Sequence, residues 1–125
     1  MADFKAYFII SSTPDEVYQA LTNPLSIKLW SGDECEMSTE VGSEFSLWDK
    51  SIIGKNLFFE EGKKIEQQWY FDGEDAESIV SMKLHEHKKG TSIELLHTNI
   101  PDELLEEFES GWRTNYMESL KEFFD

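Results

Sequence analysis

The sequence predicts one α+β domain in which a long, aromatic-rich C-terminal helix packs across a curved antiparallel sheet of about seven strands. Three observations carry this. An alternating apolar segment lies near the N-terminus, short alternating segments separated by turn residues run from Glu34 to Asn99, and the apolar period switches to a helical one after Pro101. A chain of 125 residues, 39% hydrophobic and 14% aromatic, has material for one sizeable core, so residues 1–125 read as a single domain.

The first strand runs from Phe4 to Ile10, with Phe4, Ala6, Phe8 and Ile10 on one face. Thr13-Pro14-Asp15-Glu16 then opens a helix: a threonine cap, a proline in the first turn and a glutamate three residues after the cap form a capping box. Val17, Tyr18, Ala20 and Leu21 supply its apolar face, and Asn23-Pro24 breaks it. A second short helix is expected from Pro24 toward Trp30. Six further strands follow as a meander: Glu34 to Thr39, Ser43 to Trp48, Ile52 to Glu60, Lys64 to Phe71, Ser78 to Glu86 and Thr91 to Asn99. Gly42, Asp49-Lys50, Gly62, Asp72-Gly73 and Lys88-Lys89-Gly90 punctuate them. The inward faces carry Val80, Met82 and Leu84 on one strand and Ile93, Leu95 and His97 on the next. In the last segment Leu105, Phe108, Trp112, Tyr116, Leu120 and Phe123 recur at spacings of three and four, one stripe on a continuous α-helix. Gly111 interrupts that helix at a cost of about 1 kcal/mol relative to alanine, which predicts a close approach at that point.

Charge narrows the partners. With 26 acidic against 11 basic residues the formal net charge is −15, so nucleic acid and anionic membranes are poor partners, because phosphate-bearing surfaces are held by Lys and Arg. No apolar run approaches a membrane span and Met1 to Ile10 lacks a secretory pattern, so no membrane is expected and the cytoplasm is the default location. The lone Cys35 has no intrachain disulfide partner, and its acidic neighbours are expected to raise its pKa.

The order of elements resembles the helix-grip fold of the START-like superfamily, which includes polyketide cyclase-like and birch-pollen-allergen-like proteins. Thr13 through Pro24 followed by Trp30 resembles the opening signature of one of its families. Gly42 with Phe45, Gly54, Lys64-Ile65 leading to Trp69, Gly90-Thr91 with His97, and Gly111-Trp112 continue it. Together these are similar to the domain family named for the activator of the heat-shock protein 90 ATPase. The resemblance implies a small apolar ligand held between sheet and C-terminal helix. The eukaryotic activators carry an additional N-terminal domain for which 125 residues leave no room, so activation of the chaperone is not expected; the alternative function is a protein-interaction, co-chaperone-like domain without a ligand cavity, with a chaperone as its possible partner.

Trp69, Met82, Phe108, Trp112 and Tyr116 are the residues expected to line such a cavity, or else to fill the core. His97 is the leading polar candidate, either orienting a ligand or sitting as a buried imidazole satisfied by its neighbours. Gln67, on the face of Trp69, and Arg113, beside the helical stripe, come next. His85 and His87 share one strand face but fall short of the three ligands a zinc site needs, so no metal and no cofactor are expected. There is no phosphate loop and no nucleophile elbow, and catalysis is not indicated.

Overall fold

A computed structural model describes residues 1–73 and 77–125. Strand β1 (Ala2–Ile10) is followed by helices α1 (Pro14–Thr22) and α2 (Pro24–Ser31). Strands β2 (Glu44–Leu47), β3 (Ile52–Glu60), β4 (Lys64–Trp69), β5 (Ser78–His87) and β6 (Gly90–Ile100) complete an antiparallel sheet of order β1-β6-β5-β4-β3-β2. The meander therefore pairs neighbour with neighbour, and the first strand returns to lie beside the last.

Local chemistry explains the helix pair. Thr13 Oγ1 accepts the Glu16 N–H at 3.3 Å and Asn23 Oδ1 accepts the Leu25 N–H at 2.9 Å, so each helix begins on a side-chain cap with proline in its first turn. Gly32, at φ +75°, ends α2 in the left-handed conformation. Val17, Tyr18, Ala20 and Leu21 are buried as the spacing predicts, and the Trp30 indole N–H donates to the Ala20 carbonyl at 2.8 Å, tying α2 to α1.

Among the described residues six strands form the sheet, not about seven. Residues 34–39, expected as a strand, join it only through one bridge in which Glu36 and Ser46 exchange N–H···O bonds of 2.9 Å. Edge strand β2 is only four residues long, and the chain before it is drawn across the end of the sheet by Asn56, whose Nδ2 donates to the Ser38 carbonyl at 3.1 Å. Between β2 and β4, Gly54 is needed for space: a Cβ would press into the Gln68 carbonyl and come within 2.7 Å of the Phe45 ring.

The expected inward faces are buried: Phe4, Ala6, Phe8 and Ile10 on β1, Val80, Met82 and Leu84 on β5, and Ile93, Leu95 and His97 on β6. Onto this face packs the C-terminal helix, which is not a continuous α-helix. A 3-10 turn (Asp102–Leu104) leads into α3 (Leu105–Ser110), then a π-helical segment (Gly111–Met117), then α4 (Glu118–Phe124). The widened segment has a sequence cause. Phe108, Trp112, Tyr116, Leu120 and Phe124 are spaced by four, and in a regular α-helix each step of four overshoots a turn by about 40°. Turns that close one residue later absorb the overshoot and keep the stripe on the core. As a result Phe124, rather than the expected Phe123, packs against the core, and Phe123 is 38% exposed. Among the described residues no helix is long and apolar enough to cross a membrane.

Candidate functional site

The site is built where β4, β6 and the π-helical segment converge. Alternation on β4 turns Ile65, Gln67 and Trp69 inward, and β6 turns His97 to the same side. Trp112, on the first π turn, lays its indole against that of Trp69, with ring centroids 4.8 Å apart and planes 23° from parallel. The two indole N–H groups enter separate buried hydrogen-bond relays.

In the first relay Trp112 Nε1–H donates to His97 Nδ1 at 3.0 Å. An indole N–H can only donate, so Nδ1 is the unprotonated nitrogen and Nε2 carries the hydrogen. That hydrogen goes to Ser78 Oγ at 2.8 Å, and the serine hydroxyl in turn donates to the Thr98 carbonyl at 2.8 Å. Every bond in the chain has one direction, and His97 has no lone pair left for a proton or a ligand. Burial pushes its pKa down from 6.5 to about 4, with the Asp3 carboxylate opposing weakly. In the second relay Trp69 Nε1–H donates to Gln67 Oε1 at 3.1 Å and Gln67 Nε2 donates to Asn56 Oδ1 at 3.2 Å. Asn56 passes its own donors to the Ser38 carbonyl and, at 3.2 Å, to Ser43 Oγ. Among the described residues no fully buried side-chain nitrogen or oxygen lacks a partner. The relays fix the orientation of both indoles.

In front of the indoles lies a cleft of about 590 Å³, bounded by the helix on one side and by the β2–β3 turn and the loop after α2 on the other. Trp69, Phe108, Trp112 and Tyr116 line it, joined by Trp48, Gly111, Asn115 and the carboxylate residues Asp33 and Glu107. Trp48 stands on a turn in which it, Asp49 and Lys50 all have positive φ (48°, 49° and 70°), an unfavourable conformation for side chains of this kind. The turn sets the Trp48 ring edge-on to Trp30 at 5.8 Å and to Tyr116 at 5.7 Å. Tyr116 is only 4% exposed, burial raises its pKa, and its hydroxyl has no hydrogen-bond partner among the described residues.

The residues singled out in the sequence thus divide. Trp69, Phe108, Trp112 and Tyr116 meet at the cleft. Gln67 and His97 stand behind its floor as the orienting relays, and Met82 lies deep in the sheet core between Ile65 and Leu95. Arg113 is on another side of the helix, its guanidinium over the Phe4 ring at 5.2 Å. His85 is engaged with Glu94 at 2.9 Å, and His87 Nδ1 accepts the Lys89 N–H at 3.1 Å. Sequence reasoning missed Trp48, Asp33 and Glu107; only the pairing of a large aromatic with the Asp49-Lys50 turn signal hinted at the first. At Gly111 the expected close approach is absent: an added Cβ would meet nothing within 4 Å, because this residue borders the open cleft. The Cys35 thiol is pushed up mainly by burial, with Glu34 adding and Lys28 opposing, so its acidic neighbour is the smaller cause.

Comparison with known proteins agrees with this architecture. The chain is 30% identical over 115 residues to the activator of 90 kDa heat shock protein ATPase homolog of Dictyostelium discoideum, covering 90% of this chain and 30% of that protein. It is 29% identical over 68 residues to an uncharacterized protein of Schizosaccharomyces pombe, covering 54% of this chain and 20% of the other. The chain therefore spans less than a third of the curated relatives it matches. Among solved structures, an HSP90 activator from Plasmodium falciparum superposes with a TM-score of 0.86 at 26% identity, covering 96% of this chain and 94% of that one. The Aha1 dimer from Colwellia psychrerythraea gives 0.87 at 19% identity, covering 99% and 96%, a likeness of fold alone. Residues 11–125 match the family described as activator of Hsp90 ATPase homolog 1-like protein, and with the six-stranded sheet and the C-terminal helix laid across it, the chain belongs to that family.

Proposed function

We propose that this domain is a non-catalytic binding module that takes a small apolar or amphipathic molecule in the cleft between the sheet and the C-terminal helix. The observation that supports it most is the pre-oriented aromatic floor. Trp69 and Trp112 are stacked, each is tied through its indole N–H to a fully satisfied relay, and both border a cleft of about 590 Å³. That volume suits a drug-sized ligand, and rings held in place before binding lose little freedom when it arrives. Catalysis finds no support in the same residues, since the neutral, doubly hydrogen-bonded His97 has nothing with which to accept a proton.

The test uses the neutral fluorophore N-phenyl-naphthylamine and a plugged variant. Because a Cβ at Gly111 meets nothing and the residue borders the cleft, Gly111→Phe is expected to place its ring in the cleft. The wild type is expected to bind the probe saturably with quenching of tryptophan emission, and Gly111→Phe, with an unchanged circular dichroism spectrum, to lose it. Absence of saturable binding, or equal binding by both proteins, refutes the reading.

A second reading, contact with a chaperone of the 90 kDa heat shock class, is favoured by the 30% identity to the Dictyostelium homolog and by the net charge of −15. It predicts a complex with the purified chaperone that weakens as salt screens the acidic surface. Sedimentation of the mixture without a complex at low salt refutes it.

A further inference from the structure

Resting on the binding reading above, we infer that the cleft selects a lipophilic organic cation: a protonated or quaternary amine carried on a planar apolar body. The chemistry of the walls points there. Five aromatic side chains, Trp48, Trp69, Phe108, Trp112 and Tyr116, line the cleft, and its described lining includes the carboxylate residues Asp33 and Glu107 with no Lys, Arg or His among them. Trp48 and Phe108 are only half-buried, so each leaves ring surface to the opening, where a cation gains from the negative face of the π-system. Neither Asp33 nor Glu107 is in an ion pair among the described residues. Asp33 Oδ1 accepts only the Glu34 N–H, at 2.8 Å.

An independent feature marks the inner end. Tyr116 is 4% exposed and its hydroxyl has no partner among the described residues. Since no fully buried polar atom among the described residues goes unpartnered, the hydroxyl keeps some surface, on a residue that lines the cleft. As an acceptor it would take an N–H from a protonated amine or lie against a methylated one. An anionic ligand is disfavoured in turn. Lys50 does not line the cleft but an adjoining depression that shares Trp69, Glu107 and Phe108 with it and also holds Asp72, and the Arg113 guanidinium lies over Phe4 and Phe8. Asp102, Glu103, Glu106, Glu107 and Glu109 add negative charge along the helix that forms one wall.

Three probes sharing one naphthalene body separate the possibilities: naphthylmethyl-trimethylammonium, naphthylmethanol and naphthylacetate, titrated calorimetrically at fixed ionic strength. The cation is expected to bind about tenfold tighter than the alcohol, with the carboxylate weakest, from a cation–π contribution plus two partly screened carboxylates. In Asp33→Asn/Glu107→Gln the preference should fall to about threefold, the part left to the aromatic rings. The same charge removed outside the cleft, in Glu86→Gln/Glu122→Gln, should leave it unchanged, which separates the site from the general acidity of the molecule. All four residues are exposed, so both double variants should fold. Equal binding of cation and alcohol, or a tenfold preference surviving Asp33→Asn/Glu107→Gln, overturns the cationic class while the binding reading stands. Failure of all three probes overturns both.

Discussion

Replacing His97 by glutamine should flatten the acid end of the stability profile. In the folded chain the imidazole is fully buried and its Nδ1 lone pair is held by the Trp112 indole, and its pKa is pushed down from 6.5 to about 4. The unfolded chain therefore binds that proton more readily than the folded one. Stability from this group is complete above about pH 6.5 and is lost as the pH falls toward 4. Each tenfold difference in proton affinity is worth about 1.4 kcal/mol, so the full effect is about 3 kcal/mol, of which about 2 kcal/mol is gone by about pH 5. Glutamine can accept from Trp112 and donate to Ser78 as the neutral ring does, but it does not titrate. Urea unfolding followed by tryptophan fluorescence, at about pH 7 and about pH 5, gives the change in stability for each protein. Subtracting the two changes cancels the carboxylates common to both. A difference of about 2 kcal/mol is expected; if the two proteins lose stability in parallel, within about 0.5 kcal/mol, the neutral, saturated relay assigned to His97 is wrong.

Other substitutions test neighbouring parts of the same architecture. Trp112→Ala should cost about 3–5 kcal/mol in chemical denaturation, because the indole is 2% exposed and its loss also orphans His97 Nδ1; near-neutral stability would mean that the ring does not pack as described. Gly111→Ala should raise stability by about 0.5–1 kcal/mol, since the new methyl group meets nothing and the helix gains a better former; a loss would point to a neighbour at that position. Gly54→Ala should cost about 3 kcal/mol or leave the protein insoluble, because the methyl group would press into the Gln68 carbonyl and the Phe45 ring, and a melting temperature like that of the wild type would contradict the register of β2, β3 and β4.

The elements legible in the sequence were those with a local cause. Thr13 and Asn23 cap the helices they precede, and alternation on β1, β5 and β6 sends the expected residues inward. Two departures came from geometry that periodicity does not encode. Residues 34–39 carry strand-like composition, yet a four-residue edge strand and the Asn56 hydrogen bond to Ser38 leave them a single bridge. Past Gly111 the spacing of four in Trp112, Tyr116, Leu120 and Phe124 could have announced a widened helix, but Phe123 fits the α period as well until the core is present to choose. For the site, aromatic identity was readable and role was not. Trp69, Phe108, Trp112 and Tyr116 converge on the cleft, whereas Gln67 and His97 became donors and acceptors behind it, a distinction made by which atoms meet across strands. Asp33 and Glu107 were two among 26 acidic residues until the fold placed them on one opening.

The return of β1 to the side of β6 bears on how the chain is made. Strands β2 to β6 can pair as soon as each neighbour emerges, but β1 pairs only with β6, which begins about eighty residues after β1 ends. At about 5–20 residues per second, a nascent chain holds Phe4, Phe8 and Ile10 without their partner for roughly 4 to 16 s. The helix that covers them follows β6 and is synthesised later still. During that interval apolar surface destined for the core is open to other chains, and the acidic residues already made, from Asp3 to Glu86, favour keeping those chains apart by mutual repulsion. The acidity of the finished surface thus also bears on the unfinished sheet, whose first and last strands must wait for each other.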